Sequence, residues 1–268
     1  MLFALVVCLP VWKTGRLCYV DIGWPWGLVV IGALTLLFSE GWDLRVWVIS
    51  GCYMFIGSRM GMGALLLWQK GYMQKEFPRY EYQKIRWERK GKTYIPLAMQ
   101  IDALTQGLAN ASFLAFPAFI IGWNPNPSFS ILEIIGLIIW ALAFMMEAIA
   151  DAQKLKFLKK MAAQGLKKQV CNVGLWKYSR HPNYFAEWMV WNGLIITAIP
   201  SFIELKSAEH LVIWILLGLG LLFTSRIMYL SLVYLTGAVP SEYYSLQKRP
   251  DYKRYTERVN RFFPGRPK

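Results

Sequence analysis

The chain has 268 residues, 56% of them hydrophobic and 16% aromatic, with a mean hydropathy of +0.32. Charged residues make up only 17%, against roughly 25% in soluble domains, which excludes an ordinary soluble enzyme and points to an all-α polytopic membrane protein of one domain. The formal net charge of +14 invites a nucleic-acid partner, and its distribution along the chain excludes one.

Apolar stretches run near 1–12, 21–38, 46–68, 103–123, 131–150, 184–200 and 208–235, and a polar tail follows from 236 to 268. The segments between them alternate in basic content. Residues 13–20 carry Lys13 and Arg16, while 39–45 carry only Arg45. Residues 69–102 hold eight Lys/Arg and 124–130 none; residues 151–183 hold eight, 201–207 only Lys206, and the tail eight. This alternation follows the positive-inside rule for seven spans, with the N-terminus outside and the C-terminus cytosolic. The first stretch is short of the roughly 20 residues that cross a bilayer. It also lacks the basic start and small-residue cleavage site of a signal peptide. A tilted or partial first helix, or six spans with an interfacial N-terminus, leaves the remaining loops on the same sides.

The most informative segment is Gly174-Leu175-Trp176-Lys177-Tyr178-Ser179-Arg180-His181-Pro182-Asn183-Tyr184-Phe185-Ala186-Glu187. It lies where a basic loop turns into an apolar helix. Pro182 suits the first helical turn, where its missing N–H costs nothing. The unpaired N–H groups of such a start favour phosphate or carboxylate, and Arg180 and His181 add cationic donors just before it. Asn183, Glu187 and Trp191 recur at four-residue spacing and share one helix face. The competing reading is a capped helix flanked by snorkelling cations.

Two cations, Arg59 and Arg226, fall inside apolar stretches. Each lies about nine residues, or roughly 13 Å, from the cytosolic end of its helix. An arginine there costs at least ~2.5 kcal/mol unless it faces a partner or a wet cavity. Asp21, Asp102, Glu147, Asp151 and Glu187 map to the same side, so the pattern predicts a polar cavity open to the cytosol beneath a nearly uncharged outer half. Structural ion pairs such as Arg59 with Glu147 are the alternative. The tail alternates Tyr with Lys and Arg around Glu242, Tyr243 and Tyr244. It either lies on the headgroups or, in part, folds over the cavity mouth.

Other chemistries find no support. Cys8, Cys18, Cys52 and Cys171 show no paired spacing, and with only His181 and His210 no Cys/His metal cluster can be drawn. Gly57, Gly61 and Gly63 lie within a span, where close helix packing explains them. No strand precedes a dinucleotide-binding glycine motif and no Walker sequence occurs, so any nucleotide must be held by helices and loops.

These residues carry a resemblance. The chain is similar nearly end to end to the steroid 5-alpha-reductase family, in its bacterial and plant DUF1295-type branch. The match includes Val20-Asp21-Ile22 through Trp26-Gly27, Arg59, Phe77-Pro78-Arg79-Tyr80, the block Glu147–Lys154 and the segment Gly174–Glu187. It continues with Gly237–Pro240, Glu242, Arg249-Pro250-Asp251-Tyr252, Tyr255 and Phe263-Pro264. The Arg-His-Pro-x-Tyr core is shared with isoprenylcysteine and phospholipid methyltransferases; its combination with Glu147–Lys154 is specific.

The resemblance implies an NADPH-dependent reductase of a carbon–carbon double bond conjugated to a carbonyl, as in 3-oxo-Δ4-steroids. The substrate would be an apolar steroid, isoprenoid or lipid enone taken from a bacterial inner membrane or endoplasmic reticulum. Asn183 and Glu187 would contact the nicotinamide half. Asp151, Arg180 and Tyr244 would lie around ribose and phosphates, with Lys154, His181 and Tyr184 in the same cofactor site and Trp176 near the adenine. Arg59 matches an intramembrane arginine of the animal enzymes. Their Gln-Glu pair is missing here and Ile56 stands where they carry a tyrosine, so Asp21 or Tyr53 is the expected substitute. Ala186 replaces the family's usual glycine. Two other functions remain open at this stage, an S-adenosylmethionine-dependent membrane methyltransferase and a non-enzymatic membrane scaffold.

Overall fold

A computed structural model describes residues 3–268. It is 77% helical, with no strand among the described residues. That is the outcome expected of a lipid-embedded chain, where each backbone N–H and C=O must be satisfied within its own segment. The helices are α1 (Leu9–Thr14), α2 (Val20–Phe38), α3 (Asp43–Gln69), α4 (Pro78–Arg89), α5 (Ile95–Ala111), α6 (Phe116–Gly122), α7 (Ile131–Ala163), α8 (Pro182–Glu204), α9 (Leu211–Leu230), α10 (Ala238–Lys248) and α11 (Tyr252–Arg258). Among the described residues, five helical segments are long and apolar enough to cross a membrane: Leu17–Phe38, Ile95–Gly122, Ile131–Ala163, Pro182–Ser207 and Leu211–Lys248. Of the two other stretches expected to span, the first falls on the short apolar helix Ala4–Thr14. The other is α3, 27 residues long and interrupted by Arg45, Arg59 and four glycines.

The chain divides into two compact units, one comprising residues up to Ile135 with Leu194–Thr224, the other Gly136–Gly193 with Ser225–Lys268. In the first, α2 and α3 pack through glycine. A Cβ on Gly57 would sit 2.6 Å from the Pro25 carbonyl oxygen, and one on Gly61 would sit 2.8 Å from the Trp26 ring. The close approach expected of this stripe is therefore present, although Gly63 faces open space. The apolar stretch expected at 103–123 is broken between α5 and α6, with Pro117 in the first turn of α6. Carbonyls freed by the break receive hydroxyls instead: Tyr53 Oη donates to Leu114 O at 2.6 Å and Thr224 Oγ1 to Phe113 O at 2.6 Å.

The same unit holds an ion pair that the loop count concealed. Arg45, at the start of α3, is 1% exposed, and its Nε donates to Glu133 Oε1 at 2.7 Å. Its remaining donors meet the carbonyls of Asn124, Asn126 and Ser128. The side expected to be nearly free of charge therefore carries a buried pair. Arg45 is a fully engaged cation rather than a solvated loop residue.

In the second unit α7 and α8 run antiparallel. A Cβ on Gly193 would meet Trp140 N at 2.7 Å and Gly136 O at 2.9 Å, so only glycine lets these backbones touch. Ten residues back along α8 is Asn183, and eleven residues on along α7 is Asp151. Their side chains bond at 3.1 Å.

Candidate functional site

The site is built on the start of α8 and the segment before it. Gly174 is left-handed at φ 54° and lies under the Gln153 side chain, whose Oε1 accepts from Leu175 N at 2.8 Å. Trp176 is buried at 3% exposure, with its Nε1 donating to Ala150 O at 2.9 Å. The Lys154 ammonium rests over its ring, 4.3 Å from the centroid. Lys154 and Trp176 thus form a cation–π pair fixed on α7. Trp176 is packed inside, where it offers no open surface to an adenine.

Ser179-Arg180-His181 is the best-tied part of the unit. Ser179 Oγ accepts from His181 N at 3.1 Å and donates to Phe262 O at 2.9 Å. Arg180 is 7% exposed; its Nε donates to Glu242 Oε1 at 2.7 Å and its Nη1 to the carbonyls of Thr256 and Val259. His181 Nε2 donates to the same Glu242 oxygen at 3.3 Å, and Arg261 Nε reaches Oε2 at 2.9 Å. One buried carboxylate therefore gathers two guanidinium groups and an imidazole. The His181 ring also stacks on Tyr184, centroids 5.3 Å apart and nearly parallel. Burial pushes the His181 imidazole below its ordinary value, against the upward pull of Glu242.

The tail completes this arrangement. Tyr255 Oη donates to Trp176 O at 2.5 Å, and Gly265 N donates to Tyr178 O at 3.0 Å. Phe262 and Phe263 pack edge-on against Phe185 and Trp188 of α8 at 5.8–6.1 Å. The tail thus packs onto the motif itself. Glu242 was missed as a site residue, and the signal was its place as a matched carboxylate among the tail's cations.

One group on this face is unsatisfied. Asn183 Nδ2 donates to Asp151, but its buried Oδ1 has no hydrogen-bond partner. A buried acceptor without a donor costs free energy and calls for an explanation. Glu187 lies half-buried one turn further along α8. Tyr244 of α10 meets Tyr243 edge-on at 5.1 Å, with Lys248 Nζ 5.4 Å from its ring.

Asp21, Tyr53 and Arg59 all belong to the first unit. Asp21 Oδ1 accepts from Tyr80 Oη at 2.6 Å, and Oδ2 pairs with Arg79. Tyr80 is 2% exposed, and burial first, then the Asp21 charge, raises its hydroxyl well above the ordinary value. The Phe77–Tyr80 motif thus positions Asp21, a role that sequence reading left unassigned. Tyr53 is 1% exposed and engaged at the α5–α6 break. Arg59 is half-buried on α3, whereas Arg226 stands exposed on α9. Among the described residues no group of three or more His, Cys, Asp or Glu is placed to hold a metal ion.

No curated protein and no solved structure matches the chain. The family described as "Protein of unknown function (DUF1295)" matches residues 11–259. Nearly the whole chain is covered, from α1 to the tail segment that ties down Arg180, and the protein belongs to the DUF1295 family.

Proposed function

We propose that the protein is a membrane-embedded, NADPH-dependent reductase of an enone-type double bond in an apolar substrate. The observation that carries this reading is the buried, unpartnered Asn183 Oδ1 beside Asp151 at the start of α8. A nicotinamide carboxamide offers the N–H donor that this acceptor lacks, and Asp151 can accept a ribose hydroxyl. The residues present therefore fit the group.

NADPH, when bound, supplies the hydride. The chain's own residues bind and orient. Asn183 and Asp151 hold the nicotinamide end, and Glu187 contributes from the same face of α8. Lys154 supplies a fixed positive charge toward the phosphates, held in place by Trp176. Arg180, neutralised by Glu242, and the His181 imidazole act at one remove: they hold the start of α8 in position. Tyr184 supports His181, and Tyr244 stands on α10 as a further contact. Of the groups expected at the substrate carbonyl, Asp21 has a hydroxyl-bearing partner in Tyr80, so it is the better candidate to hold or move a proton. Tyr53 is tied to backbone.

The same reading takes seven spans, a cytosolic cofactor cavity, and a location in a bacterial inner membrane or endoplasmic reticulum. The alternating basic loops support it.

Thermal stabilisation of detergent-purified protein by NADPH, NADH and S-adenosylmethionine tests the proposal. A ligand at 100 times its Kd adds about 2.7 kcal/mol. NADPH is expected to stabilise selectively, and Asn183→Ala to abolish the shift while lowering the unliganded Tm only slightly. Stabilisation by S-adenosylmethionine alone would move the chain to the methyltransferases. No shift with any of the three would leave a non-enzymatic scaffold.

A further inference from the structure

A surface pocket of about 310 Å³ opens at the far end of α7, lined by Leu158, Met161 and Leu166 together with Lys167, Lys168 and Arg249. It belongs wholly to the second unit, and none of the groups described above lines it. Its chemistry is mixed in a particular way. Three cations line it together with apolar side chains, and no carboxylate is among the lining residues. Leu158 and Leu166 remain 42% and 47% exposed. The wider setting has the same sign: six lysines fall between Lys154 and Lys168, and no acidic residue occurs between Asp151 and Glu187.

The loop that closes the pocket is shaped at a cost. Lys168 has φ 62°, the single non-glycine residue in the left-handed region among the described residues. Lysine adopts this conformation with strain, and strained backbone concentrates where a side chain must be aimed. Gly165, at φ 69°, provides the preceding left-handed turn without that strain.

Depth selects the ligand. Leu158 is about 40 Å along α7 from Ile131. The hydrocarbon core is about 30 Å thick, and the bilayer including headgroups about 40–45 Å. That length exceeds the hydrocarbon core, which puts the pocket at headgroup level. Basic pockets of this kind beside a spanning helix recognise anionic lipid headgroups.

We propose that this pocket binds the phosphate of an anionic phospholipid from the adjoining leaflet. Lys167, Lys168 and Arg249 hold the phosphate, and Leu158, Met161 and Leu166 receive the glycerol and upper acyl carbons. The proposal does not depend on the reductase reading.

The test uses the full chain in phosphatidylcholine nanodiscs, titrated with phosphatidylglycerol and read by the amount of that lipid retained on the extracted protein. Measurements at 1 M salt shorten the screening length to about 3 Å and remove diffuse attraction. Under those conditions wild-type protein is expected to retain phosphatidylglycerol selectively. The variant K167Q/K168Q/R249Q should lose affinity by about tenfold or more, as removal of contacts worth several-fold each predicts. K156Q/K159Q/K160Q, which removes equal charge outside the pocket, should behave as wild type. Equal losses in both triple variants, or no selective retention by wild-type protein, would overturn the proposal. So would displacement of the lipid by adenosine 2′,5′-bisphosphate, which would make a soluble phosphate the ligand. The wild-type arms decide the matter even if a variant fails to fold.

Discussion

His181 shows how far a residue's role depends on what surrounds it. In sequence it is a cationic donor beside a helix start; in the fold it is a buried imidazole between Tyr184 and a carboxylate that Arg180 already neutralises. Burial lowers its pKa from 6.5, with Lys154 and Arg180 adding to the effect and Glu242 opposing it. The unfolded chain therefore takes up a proton that the folded chain refuses. The corresponding stability is fully present above about pH 6.5 and is lost as pH falls toward the depressed folded value. Thermal melts of the wild type and His181→Gln between pH 7.5 and 5.5 check this, and the wild type should lose Tm more steeply than the variant. Parallel pH profiles would mean that the imidazole does not resist protonation in the fold. The motif around His181 was legible from its residue types; the neutralising Glu242 was not, because it stands 61 residues away.

At the scale of elements, two devices hold the chain together. The α5–α6 break leaves the carbonyls of Phe113 and Leu114 without helical partners, and hydroxyls from α3 and α9 supply the missing donors. Tyr53→Phe should therefore cost about 1–3 kcal/mol, the penalty of an orphaned buried acceptor. If Tyr53→Phe left stability unchanged but eliminated turnover, Tyr53 would return to the catalytic role that the resemblance allowed. The second device is the tail, whose α10, α11 and Phe262-Phe263 close over Ser179–His181. Removing Glu242 leaves buried Arg180 uncompensated. Glu242→Ala should lower stability by about 3–5 kcal/mol, as loss of one partner of a buried pair does. Glu242→Gln, which keeps the shape and loses the charge, should fall between that variant and the wild type. A denaturant midpoint series reads both. The seven apolar stretches were visible as hydropathy, yet the break inside 103–123 was not. A broken helix is tolerated only where distant hydroxyls reach it, and no local pattern announces them.

For the whole molecule, topology follows from the number of crossings. Among the described residues five helical segments meet the length and apolarity of a span, while the seven-span proposal also needs α3 and the N-terminal stretch around Ala4–Thr14 to cross. Cysteines introduced singly as Glu40→Cys and Lys90→Cys, in a background lacking the four native thiols, report directly on this. If α3 spans, an impermeant maleimide labels the two positions from opposite faces of sealed vesicles. Labelling from the same face would reduce the count and place α3 along the surface. The buried Arg45–Glu133 pair at the head of α3 supports a crossing, since it satisfies the charge that would otherwise resist insertion.

Composition and pattern by themselves determined that this chain is helical, embedded in a membrane and basic on alternate loops. Those properties are local: an apolar run of sufficient length must satisfy its own backbone, and only a helix does so within one segment. Membership of the DUF1295 family and the helix start at Pro182 were legible for the same reason, as contiguous residues. The tertiary structure alone decided which charges are neutralised and which polar atoms are left open. Arg180 meets Glu242 across 62 positions, Asn183 meets Asp151 across 32, and Arg45 meets Glu133 across 88. In a low-dielectric interior a cation's chemistry is set by its nearest opposite charge. No sequence interval states which charge that will be until helices pack.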